Sequence, residues 1–308
     1  MENTGETQTE NSHRRTVLQS IAALGIGSTI VGTTQAQDDS PSDTSEDETP
    51  VGIQLFTISH LEESMPDQLQ RVADAGFDAA EPFTLGDDDP SEIRDAFEET
   101  SLENAGAHVG LEELEEEFEA TVDAWTTAGI ETFVIPAVDE EYFQSVESIR
   151  EIAGRINVVA DRLEEHDLKL GYHNHEFEFV DLANQTAYEC FVEHTNNNVL
   201  LQIDTGLAAA GGQDPVVLIA QFAERVDSLH FRDMRVDVPE EEAEYITGGV
   251  GYDFAEVGEG DLNLPAIAAV AQAVADVRWL IYEHQPGEAD LETAADLIST
   301  MNTQPYSE

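Results

Sequence analysis

The chain has 308 residues, 66 of them acidic and 12 basic, for a formal net charge of −54, yet 41% of its residues are hydrophobic. That apolar fraction belongs to a folded chain and not to an acidic disordered one; the charge excludes nucleic-acid binding through a basic patch, disfavours highly charged anionic substrates and demands salt to screen it, as in a halophilic protein. Cys190 is the one cysteine, so no intrachain disulfide forms and zinc–thiolate chemistry is disfavoured.

Residues 1–36 read as an export signal. His13, Arg14 and Arg15 precede a Gly/Ala-rich apolar run that ends at Thr34-Gln35-Ala36. The run is shorter than the ~20 residues of a spanning helix, and paired arginines ahead of it match a twin-arginine signal. The expected partner is therefore the twin-arginine translocation machinery, and the expected destination is extracellular or cell-surface; a retained anchor is the alternative. Residues 37–49 have no apolar residue to bury and read as a disordered acidic tether. Residues 50–302 are left for a folded domain and 303–308 for a tail, a length that suits one α/β barrel or two smaller domains.

In that domain strand and helix signals alternate. A β-branched run at 51–56 precedes Pro66-Asp67, an apolar face at Leu69, Val72 and Ala73, and a stop at Gly76. Residues 78–83 are strand-like, Pro90 opens an amphipathic helix, and 103–109 read as a third strand. Leu111, Leu114, Phe118, Val122 and Trp125 fall at helical spacing, with the glutamates between them forming a solvated face. Residues 132–138 are a buried strand, and 146–163 a long helix. After a strand beginning at Lys169 come a helix near 186–194, a strand at 199–205, a helix from Pro215, a strand at 226–234, a helix at 264–277, a strand at 278–284 and a helix at 290–301. The excursion 235–261 is expected to cover one face as a lid. Repeated strand-then-helix units imply a parallel sheet, and eight of them in this length favour closure as a (β/α)8 TIM barrel. No G-x-G-x-x-G follows the first strand, which removes the dinucleotide-binding alternative.

The polar residues have a shared position. Glu81, His108, His173, His175, Glu178, Asp204, His230 and Glu283 lie at or just after the C-terminal ends of the expected strands, which converge on one barrel mouth. The stretch 169–179, K-L-G-Y-H-N-H-E-F-E-F, is the densest part: strand alternation puts His173 and His175 on one face and Asn174 on the other. Glu178, Asp204, His230 and Glu283 would supply three carboxylates and one imidazole. A set rich in oxygen favours Mn²⁺, Mg²⁺ or Co²⁺ and, less strongly, Zn²⁺, and a cation would relieve the mutual repulsion of the carboxylates. The alternative is a purely structural network of carboxylates with Arg232, Arg278 and the histidines.

On the motifs Y-H-N-H-E-F-E-F, A-H-V-G-L-E-E-L (107–114), L-L-Q-I-D-T-G-L (200–207), L-H-F-R-D-M (229–234), V-G-E-G-D-L-N-L-P-A-I (257–267) and L-I-Y-E-H (280–284), the chain resembles the sugar phosphate isomerase/epimerase family, xylose isomerase-like TIM barrels related to endonuclease IV. The likeness is to an exported member of haloarchaeal type and runs from Val51 to about Met301. It implies the metal ligands Glu178, Asp204, His230 and Glu283. Relatives often carry the first glutamate on the strand, where this chain has Gly171, so Glu178 would fold back from the loop. It further implies that Glu178 and Glu283 move a carbon-bound proton, that His108 and His175 act as acid or base, and that His173, Arg232 and Glu81 hold the substrate.

The implied reaction is proton abstraction next to a carbonyl, with return of the proton giving isomerisation or epimerisation. The same groups could eliminate a β-leaving group from a keto-inositol or a 3-keto-glycoside. Phosphate recognition uses arginines, lysines or an anion nest, and this site offers mainly Arg232 and Arg235, so an unphosphorylated sugar, keto-sugar or polyol is the expected substrate. A non-catalytic sugar-binding barrel is the reading from another class, and endonuclease activity on abasic DNA a third. The particular sugar, the metal and the oligomeric state stay open.

Overall fold

The computed structural model describes residues 49–287 and 291–303; the export signal, all of the tether but Thr49, and residues 304–308 of the tail lie outside them. The described residues form one compact unit.

Among the described residues, eight barrel-strand segments arise, most of them where the sequence is apolar on both faces, as buried parallel strands require. They are β1 (Val51–Gln54), β2 (Ala79–Glu81), the pair β3 (Glu103–Asn104) and β4 (Ala107–His108), β5 (Thr132–Ile135), β6 (Lys169–His173), β7 (Val199–Asp204), β8 (Val226–Phe231), and a last strand, Trp279–Tyr282. Between β8 and that last strand the excursion forms a three-stranded antiparallel sheet of its own, β9 (Asp233–Val238), β10 (Tyr245–Thr247) and β11 (Val250–Ala255), which makes the last barrel strand β12.

The large sheet runs β3-β2-β1-β12-β8-β7-β6-β5-β4. Its two edges, β3 and β4, are halves of one chain segment, so the sheet closes on itself as a (β/α)8 barrel. Gly106 makes the break between them. Its φ of +120° suits glycine, and a Cβ there would lie 3.2 Å from the Thr132 carbonyl oxygen. Across the break, Ala105 N–H donates to Ala80 O and His108 N–H to Pro82 O, carrying the ladder around.

Helices follow their local signals. In α1 (Met65–Ala75) Ser64 caps the start, Pro66 sits in the first turn and Gly76 ends it in the left-handed region. Helix α2 is Pro90–Thr100. Residues 111–127, expected as one helix, are α3 (Leu111–Glu116) and α4 (Phe118–Thr127), kinked at Glu117 so that Leu114 and Phe118 still share the buried face. Helix α5 (Val146–Glu164) leads to β6; α6 (Ala187–His194) starts on a Thr186–Glu189 capping box. A short helix missing from the sequence reading, α7 (Thr205–Ala210), follows β7 directly because the Asp204 side chain caps it. Then come α8 (Pro215–Gln221), α9 (Leu264–Val270) with a π turn at Ala271–Ala275, and α10 (Leu291–Thr303). One contiguous core joins these helices to the barrel. The β9–β11 sheet has a satellite core of Met234 and Tyr252 against Leu207 and Ala210 of α7. Among the described residues, no helix is long and apolar enough to cross a membrane.

Candidate active site

The C-terminal strand ends gather Glu81, His108, His173, Asp204, His230, Arg232 and Glu283 in one buried group. At its base is Gln202, a residue the sequence reading passed over. Its Nε2 donates to Glu81 Oε1 (2.7 Å) and Ser228 Oγ (3.2 Å), which leaves its Oε1 to accept from His108 Nε2 (2.8 Å) and His173 Nδ1 (3.1 Å). Gln54 of β1 donates to Glu81 Oε2 at 2.8 Å. The signal for Gln202 was present: it lies two residues before Asp204, on the same face of an otherwise apolar strand.

This arrangement sets tautomers. With its proton on Nδ1, His173 presents a bare Nε2, 3.9 Å from Asp204 Oδ2. Asp204 Oδ1 is used by Leu207 N–H (2.7 Å), while Oδ2 is buried without a hydrogen bond, its nearest cation being Arg232 Nε at 3.0 Å. His230 lies between two carboxylates, with Nδ1 2.6 Å from Glu283 Oε2 and Nε2 2.7 Å from Glu81 Oε2. Arg232 Nη2 is also in close contact with Glu283 Oε2, and the Phe254 ring covers its guanidinium at 4.8 Å. Ligand atoms of His173, Asp204, His230 and Glu283 all lie within 4.8 Å of one another. Two imidazoles, two carboxylates and a buried carboxylate oxygen lacking a hydrogen bond fit a divalent transition ion.

The expected ligand set differs from this one at a single position, where His173 stands in place of Glu178. Glu178 sits in a 3₁₀ turn, Glu176–Phe179, and accepts from Tyr172 Oη at 2.8 Å. Tyr172 alternates with His173 and packs on Phe191 of α6, so Glu178 is drawn toward the helix side of β6, away from the cluster. His175 stays at the mouth, its ring stacked on Phe177 at 5.5 Å and its side chain 28% exposed.

Charge follows from these contacts. Burial disfavours a charged His230, but Glu283 and Glu81 outweigh it and push its pKa up to about 10. Burial would raise Glu283, yet the Arg232 and His230 charges hold it well below the usual carboxylate range. Glu81 is likewise held low against burial, by His108 and His230. Burial raises Asp204, with Arg232 opposing, and keeps Glu178 protonated well above its usual range. His173 is pushed well down by burial and by His230, and His175 falls to about 4 through burial and then Arg232.

Above the cluster opens a cavity of about 550 Å³. Its walls include His108, His173, His175, Arg232 and Glu283, with Phe56 and Phe83 meeting edge to face at 5.7 Å. Glu178 and Glu81 are not on its surface.

The sequence profile of the xylose isomerase-like TIM barrels matches residues 69–301. The chain belongs to that family. Among sequences, an inosose dehydratase of Geobacillus kaustophilus is 26% identical over 277 residues, covering 78% of this chain and 89% of that one. Among solved structures, a sugar phosphate isomerase/epimerase of Parabacteroides distasonis superposes with a TM-score of 0.65 at 18% identity, over 85% of this chain and 96% of that one. A probable 3-DHS dehydratase of Bacillus anthracis, involved in petrobactin synthesis, superposes at 0.62 with 16% identity, over 83% of this chain and all (100%) of that one.

Proposed function

We propose that the protein is a divalent-metal-dependent enzyme that removes a proton next to the carbonyl of an unphosphorylated keto-sugar or keto-polyol. The observation that carries this is the N₂O₂ cluster of His173, Asp204, His230 and Glu283 beneath the cavity that His173 and Glu283 line. Those four residues would hold the ion, which when bound supplies Lewis-acid polarisation of a carbonyl oxygen.

The chain's own groups divide the remaining work. His108 and His173 each donate to Gln202, so their ring orientations are fixed, His173 toward the ion site and His108 as a positioning group. Glu283 and His175 remain, with the exposed Glu113, as cavity-lining groups able to move a proton. Glu283 is ionised and acts as the acceptor of the carbon-bound proton. His175, neutral above about pH 4, faces the cavity as the partner for a substrate hydroxyl. Among the described residues Arg232 is the one Arg or Lys lining the cavity, and it is already engaged by two carboxylates, which supports a substrate without phosphate.

Return of the proton gives isomerisation or epimerisation. A second reading is favoured by the similarity to inosose dehydratases: loss of the β-hydroxyl from a cyclic keto-polyol, the hydroxyl leaving as water with the proton that Glu283 took from carbon, while neutral His175 holds that hydroxyl by a hydrogen bond. We further propose export by the twin-arginine route on Arg14 and Arg15, and work in high salt. The test is incubation of the full chain with Mn²⁺, Mg²⁺ or Co²⁺ and a panel of keto-sugars and keto-inositols in deuterated molar KCl. Metal-dependent deuterium wash-in is the expected result, with enone absorbance marking dehydration. Saturable sugar binding without exchange or product would leave a non-catalytic barrel instead.

A further inference from the structure

Arg232 stands where an ion would have to act. Its Nε is 3.0 Å from Asp204 Oδ2 and its Nη2 contacts Glu283 Oε2, the two carboxylates of the cluster. It is 5% exposed, and its backbone is tied down, with N–H donating to Thr205 Oγ1 (3.1 Å) and the carbonyl accepting from the same hydroxyl (2.9 Å). Only the side chain has freedom, and it borders the cavity.

We propose that Arg232 is the internal counter-ion of the site: its guanidinium and a divalent cation compete for the Asp204 and Glu283 carboxylates, so that Arg232 sets how tightly the metal is held. The inference rests on the metal-site reading above. Two buried carboxylates this close need positive charge beside them, and the guanidinium fork supplies it without an ion. A dication that takes both carboxylates must displace that fork or share them with it. Sharing places like charges near one another in a buried site, where their repulsion is least screened. Either way metal binding works against Arg232. Phe254 raises the barrier further, because its ring favours the guanidinium in its present place.

The displaced side chain has somewhere to go. Swung into the cavity, the guanidinium would meet the substrate's oxygen atoms, so loading of the metal and presentation of Arg232 to substrate become one event. Weak metal binding is then the cost of a cation that becomes available when the metal arrives.

The test uses the full chain in molar KCl and Mn²⁺ alone. Free Mn²⁺ is measured by electron paramagnetic resonance, with Asp204→Asn as the blank for the acidic surface. Arg232→Met should bind Mn²⁺ at least tenfold tighter than wild type, and its melting temperature without the ion should fall. Arg232→Lys, which keeps the charge, should stay within about threefold of wild type. Phe254→Leu, which leaves Arg232 in place and keeps the proposal testable if Arg232→Met does not fold, should bind about two- to fivefold tighter. Equal or weaker binding by folded Arg232→Met, or by Phe254→Leu where that variant decides, overturns the counter-ion role while leaving the metal site intact. Wild-type binding no better than the Asp204→Asn blank overturns the metal site and this inference together.

Discussion

Replacing Gln202 by leucine tests the site at its base. Leucine keeps the volume and removes both ends of the amide, so the surroundings lose an acceptor and a donor at once. His173 is the main loser, because Gln202 Oε1 is the hydrogen-bond partner of its Nδ1 and the ring is only 3% exposed. His108 loses less: its Nε2 also lies 3.3 Å from Glu81 Oε2 and the ring borders the cavity. Glu81 keeps Gln54 and His230 on Oε2 but loses the Gln202 donor at Oε1. With about 1–3 kcal/mol for each stranded buried group, full penalties at His173 and Glu81 and a fraction at His108 come to about 3–7 kcal/mol. For a domain of this size that lowers the melting temperature by roughly 6–28 °C. The freed His173 ring no longer has its tautomer set, so Mn²⁺ affinity should fall about 10–100-fold. Circular-dichroism melts and Mn²⁺ titrations in molar KCl read both effects. A melting temperature within about 2 °C of wild type, together with unchanged affinity, would refute the claim that Gln202 organises the site.

Asp204→Asn should strip the metal after dialysis, whereas His175→Ala should keep it and lose turnover, with metal content and deuterium exchange as the two readouts. The raised His230 gives a pH signature in the ion-free protein. Its folded pKa of about 10 lies above the unfolded value near 6.5, so its stabilisation is complete below pH ~6.5 and is lost as pH rises toward about 10. Melting temperature should fall across that window, and His230→Asn should flatten the fall. With net charge −54, melting temperature should rise steeply from low to molar KCl as the Debye length shrinks to about 3 Å; a flat profile would contradict salt adaptation. Arg14→Lys with Arg15→Lys should hold the protein inside the cell, as read by fractionation.

The barrel was legible because its signal repeats: most strands are apolar on both faces, and most helices open on a capping residue and have a buried stripe. The excursion was legible only as an excursion. Its sheet depends on Tyr245, Tyr252 and Phe254 meeting across strands, and such pairs have no local period. In the site, position along the strands was enough to bring His108, His173, Asp204, His230 and Glu283 together. It was not enough for Glu178. Strand alternation ends at His173, and beyond it a 3₁₀ turn decides which way a side chain points; the deciding partner, the Tyr172 hydroxyl, lies on the opposite face from the histidines. Arg232 was expected to hold substrate, and its contact with both carboxylates depends on the relative placement of β7, β8 and β12, which no stretch of sequence carries alone.

The layer beneath the mouth explains why the histidines are so narrowly constrained. In a barrel of this kind the interior is filled by layers of side chains, commonly aliphatic. Here the interior beneath the mouth is Gln54, Glu81, Gln202, Ser228 and His230, all 3% exposed or less. An interior like this is tolerable only if its donors and acceptors match, since a half-satisfied network is worse than an apolar one. Matching runs in one direction. The Glu81 carboxylate can only accept, so Gln54 and Gln202 must turn their amide nitrogens toward it. That turn points the Gln202 oxygen at His108 and His173, which must then donate. The lone pair of His173 Nε2 is left facing Asp204. A single ionised glutamate deep in the barrel thus determines, three links away, which nitrogen is offered to a metal. Glu81→Gln should therefore act at a distance: the neutral amide can donate, Gln202 loses its reason to keep one orientation, and metal affinity should fall although Glu81 is not among the four clustered ligand groups. Unchanged Mn²⁺ affinity in Glu81→Gln, with the fold intact by circular dichroism, would break that chain of inference at its first link.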